Sequence, residues 1–306
     1  MTVPTLSLAD FTHGSPGERA GFERAFHGAL TRWGFVIVTD HGVPVPLIER
    51  AYALAADVFA RDEADKRRFA AGMRGYTPFG TEHAKDSGVP DLKEFWQIGR
   101  ETSPAGAPAE DFPPNVWPDQ PGFRETFVAL FEALDAAGQA MLRALAPGLG
   151  VVPEALAAMA EGGTSILRVL HYPPVAADAP AGAVRSAAHE DINFLTLLVA
   201  AKGAGLQLLD RDGRWLPVET EPSNLIVDSG DMLQRLTGGL IPATTHRVVN
   251  PQGPNMSRYS MPFFMHPASD VSLAVLPSCA HGPKVQPPIT AGEFLAERLR
   301  EIGLAK

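Results

Sequence analysis

The amino-acid sequence predicts a mixed α+β protein with a helical first half and a β-rich second half. Three observations lead there. Before residue 160, apolar residues recur at helical spacing in long segments. After residue 164, short apolar runs alternate with turn signals, the pattern of an all-β sandwich or barrel. The chain also carries 29 glycines and 28 prolines in 306 residues, well above the ~12% usual for the pair. It therefore turns often and is neither a coiled coil nor a plain helical bundle. With 45% apolar residues and no Gly/Pro period, disorder and a collagen-like structure are excluded too.

Taken in order, 17–33 is a helix with Phe22, Phe26, Leu30 and Trp33 on one face, ended by Gly34. Residues 35–38 (FVIV) form a strand, and His41-Gly42-Val43-Pro44 a turn. Residues 45–69 read as a second helix, with Leu47, Ala51, Leu54 and Val58 aligned. Segments 75–80 and 91–97 are loop or strand, and 104–121 is a Pro-rich ordered loop. Residues 123–145 form a long helix carrying Phe127, Leu130, Phe131, Leu134 and Leu142. The short strands then follow at 166–170, 194–199, 205–209, 215–218, 225–227, 245–249, 261–265 and 272–275, with a terminal helix at 291–302. No flexible polar linker separates the halves near residue 160. The expectation is one domain, 1–306, with a mostly helical region 1–160, a β core 161–280 and a closing segment 281–306.

Composition narrows the function. The net charge of −9 argues against nucleic acid as the main partner. A single cysteine, Cys279, excludes an internal disulfide framework, Cys-rich zinc sites and iron–sulfur clusters within this chain. Uninterrupted apolar runs, such as 155–160 and 197–201, fall far short of the ~20 residues that span a bilayer. The chain opens on MTVPTLSLADF, without a basic segment followed by an apolar run. A cytoplasmic monomer or homodimer acting on a small molecule, without a membrane or nucleic-acid partner, is the expectation.

The chemistry-bearing residues lie in the β-rich half. His189-Glu190-Asp191 stands at the entrance to strand 194–199. Residues i and i+2 of a strand face the same side, so His189 and Asp191 are expected to converge while Glu190 points away. His246, in another strand, is the natural third ligand. Two imidazoles and a carboxylate on one face of a metal, with other positions open, suit a non-haem Fe(II) centre; zinc fits such a set too, Mg or Ca poorly. Twelve residues further on, Arg258-Tyr259-Ser260 puts a guanidinium and a hydroxyl on one strand face, a receptor for a carboxylate.

This set, His189-x-Asp191, His246 and Arg258-x-Ser260, resembles the Fe(II)/2-oxoglutarate-dependent oxygenases of the isopenicillin N synthase-like superfamily. Gly34-Phe35-Val36-Ile37-Val38, His41-Gly42-Val43-Pro44, the stretch 167–174 (LRVLHYPP), Gly205-Leu206-Gln207 and 230–234 (GDMLQ) resemble family segments as well. The resemblance runs from about residue 4 to 270. It implies a double-stranded β-helix (jelly roll) core with flanking helices. It implies Fe(II) on His189, Asp191 and His246, and 2-oxoglutarate held by Arg258, Ser260 and Tyr172. An asparagine found two positions before that tyrosine in many plant members is Leu170 here, and the middle residue of the first motif is Glu190 where plant members commonly have Thr. The implied reaction consumes dioxygen and 2-oxoglutarate, releases succinate and CO2, and oxidises a small organic molecule, with hydroxylation the expected outcome. An Fe(II) oxidase or oxidative cyclase that does without 2-oxoglutarate retains the Arg-x-Ser pair, so that reading stays open. A catalytically inactive jelly-roll binding protein is the third reading.

Around this set, Leu206, Phe263 and Leu195 are expected as apolar walls. His83, Lys93 and Trp96 belong to the N-terminal region that lines substrate pockets in relatives. Arg247 is expected to point outward, His41 and His171 to be structural, and Cys279 to have no nucleophilic role.

Overall fold

Alternation along the strands of one large sheet divides the interior of the protein in two, and that division positions everything else. The computed structural model describes residues 3–83 and 89–301. The strands are β1 (Thr5–Ser7), β2 (Phe35–Thr39), β3 (Ala70–Ala71), β4 (Arg74–Thr77), β5 (Glu94–Gly99), β6 (Ile166–Tyr172), β7 (Ser186–His189), β8 (Leu195–Lys202), β9 (Leu206–Leu209), β10 (Trp215–Pro217), β11 (Leu225–Ser229), β12 (His246–Val248) and β13 (Arg258–Met265). The helices are α1 (Leu8–Thr12), α2 (Pro16–Trp33), α3 (Val45–Phe59), α4 (Glu63–Arg67), α5 (Phe123–Leu145), α6 (Glu154–Ala160), α7 (Asp231–Leu236) and α8 (Ala291–Glu301).

The strands form a nine-stranded sheet in the order β1-β2-β11-β8-β13-β6-β5-β4-β3 and a four-stranded sheet in the order β10-β9-β12-β7. The two face each other as the layers of a double-stranded β-helix. In the large sheet, Val36, Val38, Leu167, Val169, Leu195, Leu197, Val199, Leu225, Val227, Met261, Phe263 and Met265 turn towards the helices. Phe35, Ile37, Leu170, Tyr172, Leu198 and Ile226 turn the other way and meet Leu206, Leu208 and Val248 of the small sheet. The period of two along a strand does this sorting.

The helical layer forms as its sequence dictates. Ser15 and Glu18 close a reciprocal capping box at the start of α2, and Pro16 occupies its first turn. Gly34 ends it in the left-handed region at φ 63°, and a Cβ there would come 2.0 Å from Thr244 Oγ1, so glycine is required twice over. Helix α5 buries Phe123, Phe127, Leu130, Phe131, Leu134 and Met141 against the sheet, where Phe131 meets Phe263 edge-on at 5.0 Å. Gly138 lets this helix approach closely, since a Cβ there would lie 2.5 Å from Met265 Sδ.

Three expectations are corrected. The helix expected over 45–69 breaks: α3 ends at Phe59 and a short α4 follows, because the charged run 61–68 carries too little apolar surface to continue the buried face. One of its residues, Lys66, turns inward to pair with Glu94 at 2.7 Å. The strand expected at 272–275 is reduced to a bridge between Ser272 and Thr290, since the facing segment contains Pro287 and Pro288, which have no N–H to extend a ladder. The strand β7, which leads into the His-x-Asp motif, has no separate counterpart among the expected strands. The final helix is described to Glu301, and residue 302 lies outside the described residues.

The two faces of β13 make a paired prediction. Phe263→Ala removes a fully buried ring from the helix–sheet core and should lower the unfolding free energy by about 3–5 kcal/mol. Phe264→Ala, on the opposite and partly open face, should cost about 1 kcal/mol. Urea denaturation of both variants measures the difference; equal losses would contradict the assignment of faces.

Candidate metal centre

His189 is the last residue of β7, and His246 is the first residue of β12 directly opposite it in the antiparallel pair. Their rings lie 4.4 Å apart. Asp191 is two residues beyond the end of β7, in the connection that crosses from the small sheet to β8 in the large one. The expectation that His189 and Asp191 share a face of one strand is therefore corrected: the strand ends at the histidine, and the crossing brings the carboxylate back over it. Asp191 Oδ1 lies 3.6 Å from His189 Nε2 and 3.8 Å from His246 Nε2. One ligand atom from each residue falls within 4.8 Å of the others.

The local hydrogen bonds set the tautomers. His189 Nδ1 donates to Ala187 O at 2.7 Å, and His246 Nδ1 donates to Thr244 O at 3.1 Å. Each ring is thereby held as the tautomer that leaves Nε2 a bare lone pair. Burial and the neighbouring His189 push His246 down to about 4, so its imidazole stays neutral. In these tautomers each Nε2 offers a lone pair beside the carboxylate oxygen. That donor set fits a divalent cation with open positions. The His189 side chain is 33% exposed, whereas those of Asp191 and His246 are 6% and 10% exposed, so the open side is at His189.

A clamp holds the carboxylate. Asp191 Oδ2 accepts from Thr196 Oγ1, which in turn accepts from Asn193 Nδ2 at 2.9 Å. The Asp191 carbonyl accepts from Asp231 N at 2.7 Å, and the Asn193 carbonyl accepts from Met232 N at 3.1 Å. This seats the crossing on the first turn of α7. Gly230 permits the contact, because a Cβ there would come 2.3 Å from Asn193 Oδ1. Beside Thr196, Asp228 is buried; burial first, then the charge of Asp191, raises its carboxyl well above the usual range. Thr196, Asn193 and Asp228 were not singled out from the sequence. Their signal is a polar side chain on the inward face of an otherwise apolar strand or turn.

Two cavities meet at the centre. A small one of about 70 Å³ is lined by Tyr172, Leu206, Asp228, Arg258 and Ser260 together with His189, Asp191 and His246. Arg258 begins β13 directly opposite Tyr172 in β6, and Ser260 stands opposite Leu170. The Arg258 guanidinium lies 5.0 Å from the centre of the Tyr172 ring, and its Nε donates to Gly203 O at 3.3 Å. Its Nη1 is buried and has no hydrogen-bond partner. Arg258 is 1% exposed and its guanidinium lacks a carboxylate among the described residues, an arrangement that can receive an anion.

The larger chamber, about 670 Å³, shares Lys93, Arg168, His189, Asp191 and Phe264 with the small cavity. Most charges on this chamber's inner wall are internally matched. Arg168 grips Glu82 at 3.0 and 3.2 Å, and Lys93 pairs with Glu82 at 2.7 Å and Asp91 at 2.8 Å. Burial alone would raise the Glu82 carboxyl, but Arg168 and Lys93 outweigh it and hold it well below the usual range.

Of the remaining expected residues, Leu206 lines the small cavity, and His83 and Lys93 line the chamber. Phe263 and Leu195 do not line either cavity, because alternation sends them into the helix–sheet core. Trp96 is likewise fully buried there, donating from Nε1 to Val116 O at 2.9 Å. Leu170, at the position of the plant asparagine, is apolar and lines the small cavity. Glu190 is exposed and accepts from Thr245 Oγ1 at 3.1 Å. Arg247 lies over the Trp215 ring at 3.9 Å and donates to Gln207 Oε1. His171 bonds Glu94 at 2.7 Å and stacks on Tyr259, and His41 bonds Ser223 O at 2.7 Å; both hold elements together. Cys279 is buried.

Comparison with known proteins agrees with this arrangement. Residues 3–120 match the family described as the N-terminal part of a non-haem dioxygenase in morphine synthesis, and residues 163–267 match the 2OG-Fe(II) oxygenase superfamily. The chain is 33% identical to the 2-oxoglutarate-Fe(II) type oxidoreductase ppzD of Metarhizium rileyi, over 87% of this chain and 81% of that one. It is 30% identical to the proline hydroxylase buaE of Petromyces alliaceus, over 98% and 99%. Among solved structures, a 2OG-Fe(II) oxygenase family protein from Caulobacter crescentus is 39% identical over 97% of this chain and 98% of that one, with a TM-score of 0.86. A Neurospora crassa protein solved in complex with alpha-KG and thymine is 26% identical over 97% and 96%, with a TM-score of 0.87.

The chamber wall also carries a pH sensor of stability. His266 is buried, and burial pushes it down to about 4. The unfolded chain takes up a proton below about 6.5 that the folded chain refuses. Stability contributed by this group should therefore be full above 6.5 and fall by on the order of 1 kcal/mol per pH unit down to 4. Urea midpoints of the metal-free protein at pH 7 and pH 5 measure the loss, and His266→Gln should reduce it.

Proposed function

The chain belongs to the 2OG-Fe(II) oxygenase superfamily, and from that premise we propose how its own residues serve the reaction. It is a non-haem Fe(II)- and 2-oxoglutarate-dependent dioxygenase that oxidises a small organic molecule. His189, Asp191 and His246 hold Fe(II). Arg258, Ser260 and Tyr172 hold the distal carboxylate of 2-oxoglutarate in the small cavity, and the substrate occupies the larger chamber. The single observation that carries this reading is the buried, unpartnered Nη1 of Arg258 in a cavity that also reaches the three converging ligand atoms. Iron, with 2-oxoglutarate and dioxygen, supplies the oxidising chemistry: the keto acid becomes succinate and CO2, one oxygen atom goes to succinate and the other to the hydroxylated substrate.

The protein residues place, shield and neutralise. Nδ1–H bonds to backbone carbonyls fix both imidazoles with Nε2 towards the metal. The Thr196–Asn193 clamp keeps the Asp191 carboxylate oriented. Leu198, Leu206 and Val248 keep water from the cosubstrate carboxylate, which strengthens its pairing with Arg258. The exposed side of the centre at His189 faces the chamber, so substrate approaches from there. Hydroxylation is supported by the proline hydroxylase named among the relatives.

Two cavities meeting at one centre favour this reading over an oxidase that needs no 2-oxoglutarate. A cosubstrate and a substrate require separate compartments, whereas a substrate anchored on Arg258 requires only one. The chain is proposed to work as a single oxygenase domain over 1–306, since β4 and β5 from the N-terminal half extend the same sheet that carries β13. Among the described residues no helix is long and apolar enough to cross a membrane. A cytoplasmic location accords with the lone cysteine.

Anaerobic addition of Fe(II) and 2-oxoglutarate should produce a visible absorption band, and Asp191→Ala should abolish it along with iron retention. Arg258→Leu should raise the half-saturating 2-oxoglutarate concentration by about tenfold or more while iron content is kept. Succinate should form in step with oxidised substrate; substrate oxidation without succinate would overturn the 2-oxoglutarate assignment.

A further inference from the structure

We propose that Arg74 is the substrate anchor of this enzyme and that the substrate carries an oxyanion, a carboxylate in the simplest case. The proposal rests on the reading of the chamber as the substrate compartment. Four Lys and Arg side chains line that chamber: Arg74, Lys93, Arg168 and Arg298. Three are matched: Lys93 and Arg168 by Glu82 and Asp91, Arg298 by Glu297 and Glu301. Arg74 stands apart. It is 5% exposed, and its one hydrogen bond runs from Nη1 to its neighbour's carbonyl, Met73 O, at 2.9 Å. Its Nε is buried without a partner, and no carboxylate among the described residues pairs with it.

The placement of this side chain is built. Arg74 opens β4, which lies between β5 and the edge strand β3 of the large sheet. Its guanidinium rests on Gly99, the last residue of β5, where a Cβ would come 2.4 Å from Nη2 and 2.5 Å from Nε. Only glycine at 99 leaves room for a guanidinium in this position. Burial lowers the Arg74 pKa to about 10, with no acid nearby to raise it again, yet the group remains charged at neutral pH. A buried guanidinium is costly unless an anion meets it. Arg258 shows the same signature in the small cavity, where 2-oxoglutarate is the proposed guest. By the same reasoning Arg74 awaits a second anion on the substrate side. The other three cations of the wall already have their charge met by carboxylates of the chain, which Arg74 does not among the described residues.

Calorimetric titration of the full chain tests this, with benzoate, phenylphosphonate and the neutral isostere benzamide as probes. The titrations are run anaerobically with Fe(II) and 2-oxoglutarate present. Benzoate or phenylphosphonate should bind at least about tenfold more tightly than benzamide, the worth of one charged pair. The tighter of the two oxyanions then identifies the class. Arg74→Leu should remove the preference and Arg74→Lys should restore part of it, with melting temperatures confirming that both variants fold. Arg258→Leu should keep the preference. Equal binding of benzamide, no oxyanion binding, or a preference that survives Arg74→Leu but not Arg258→Leu would overturn the proposal. Failure of the wild type to develop the visible band with Fe(II) and 2-oxoglutarate would overturn the reading of the centre instead, and leaves the Arg74 comparison readable on its own.

Discussion

Two imidazole nitrogens and a carboxylate oxygen within 4.8 Å of one another repel, because none carries a hydrogen to share. Only a stiff surround keeps three acceptors so close, and much of the barrel supplies it. The β7–β12 ladder sets the two histidines opposite each other. Backbone carbonyls take both Nδ1 hydrogens. The crossing that carries Asp191 is tied to Thr196 in the large sheet and to the first turn of α7. The two sheets are therefore joined at the place where these side chains meet, so the convergent atoms are positioned before any guest arrives.

The barrel interior is also managed for charge. A low-dielectric cavity makes every uncompensated ion expensive. Glu82, Asp91, Lys93 and Arg168 answer this by neutralising one another, and the resulting block is fixed to β7 through Asp91 and Ala187 N. Arg258 and Arg74 are the two guanidiniums on the cavity walls that the chain leaves unmatched among its described residues. Each lines one compartment, and the centre lies where the compartments join. On the proposed reading, unmatched charge marks where guests bind, and matched charge marks the wall.

Much of this was legible in the residues, for identifiable reasons. The helices 17–33 and 123–145 announce themselves through apolar periodicity, and the first also through its terminating Gly34, all local signals. The His-x-Asp, His and Arg-x-Ser set was readable because metal and carboxylate chemistry admit few residue types. Its route into place was not. The spacing of His189 and Asp191 matches the period of a strand, and says nothing of a strand that ends between them and a crossing between sheets. Two of the three expected wall residues, Phe263 and Leu195, lie in the helix–sheet core for the same reason: Phe263 and Phe264 look alike in sequence, and a shift of one residue sends a side chain to the opposite face.

What the sequence determined by itself is the chemistry: a mixed α+β chain with two histidines and a carboxylate for a metal, and an arginine and serine for an anion. Residue types alone carry that information, since the donor atoms a side chain can offer do not depend on context. The tertiary structure alone decided which atoms meet, which polar groups are left without partners, and which of several buried cations faces a guest. Those outcomes depend on contacts between residues far apart in the chain, such as Arg74 with Gly99, Arg168 with Glu82, and Asp191 with α7. No local pattern encodes them, because burial and pairing are properties of the packed sheets and helices.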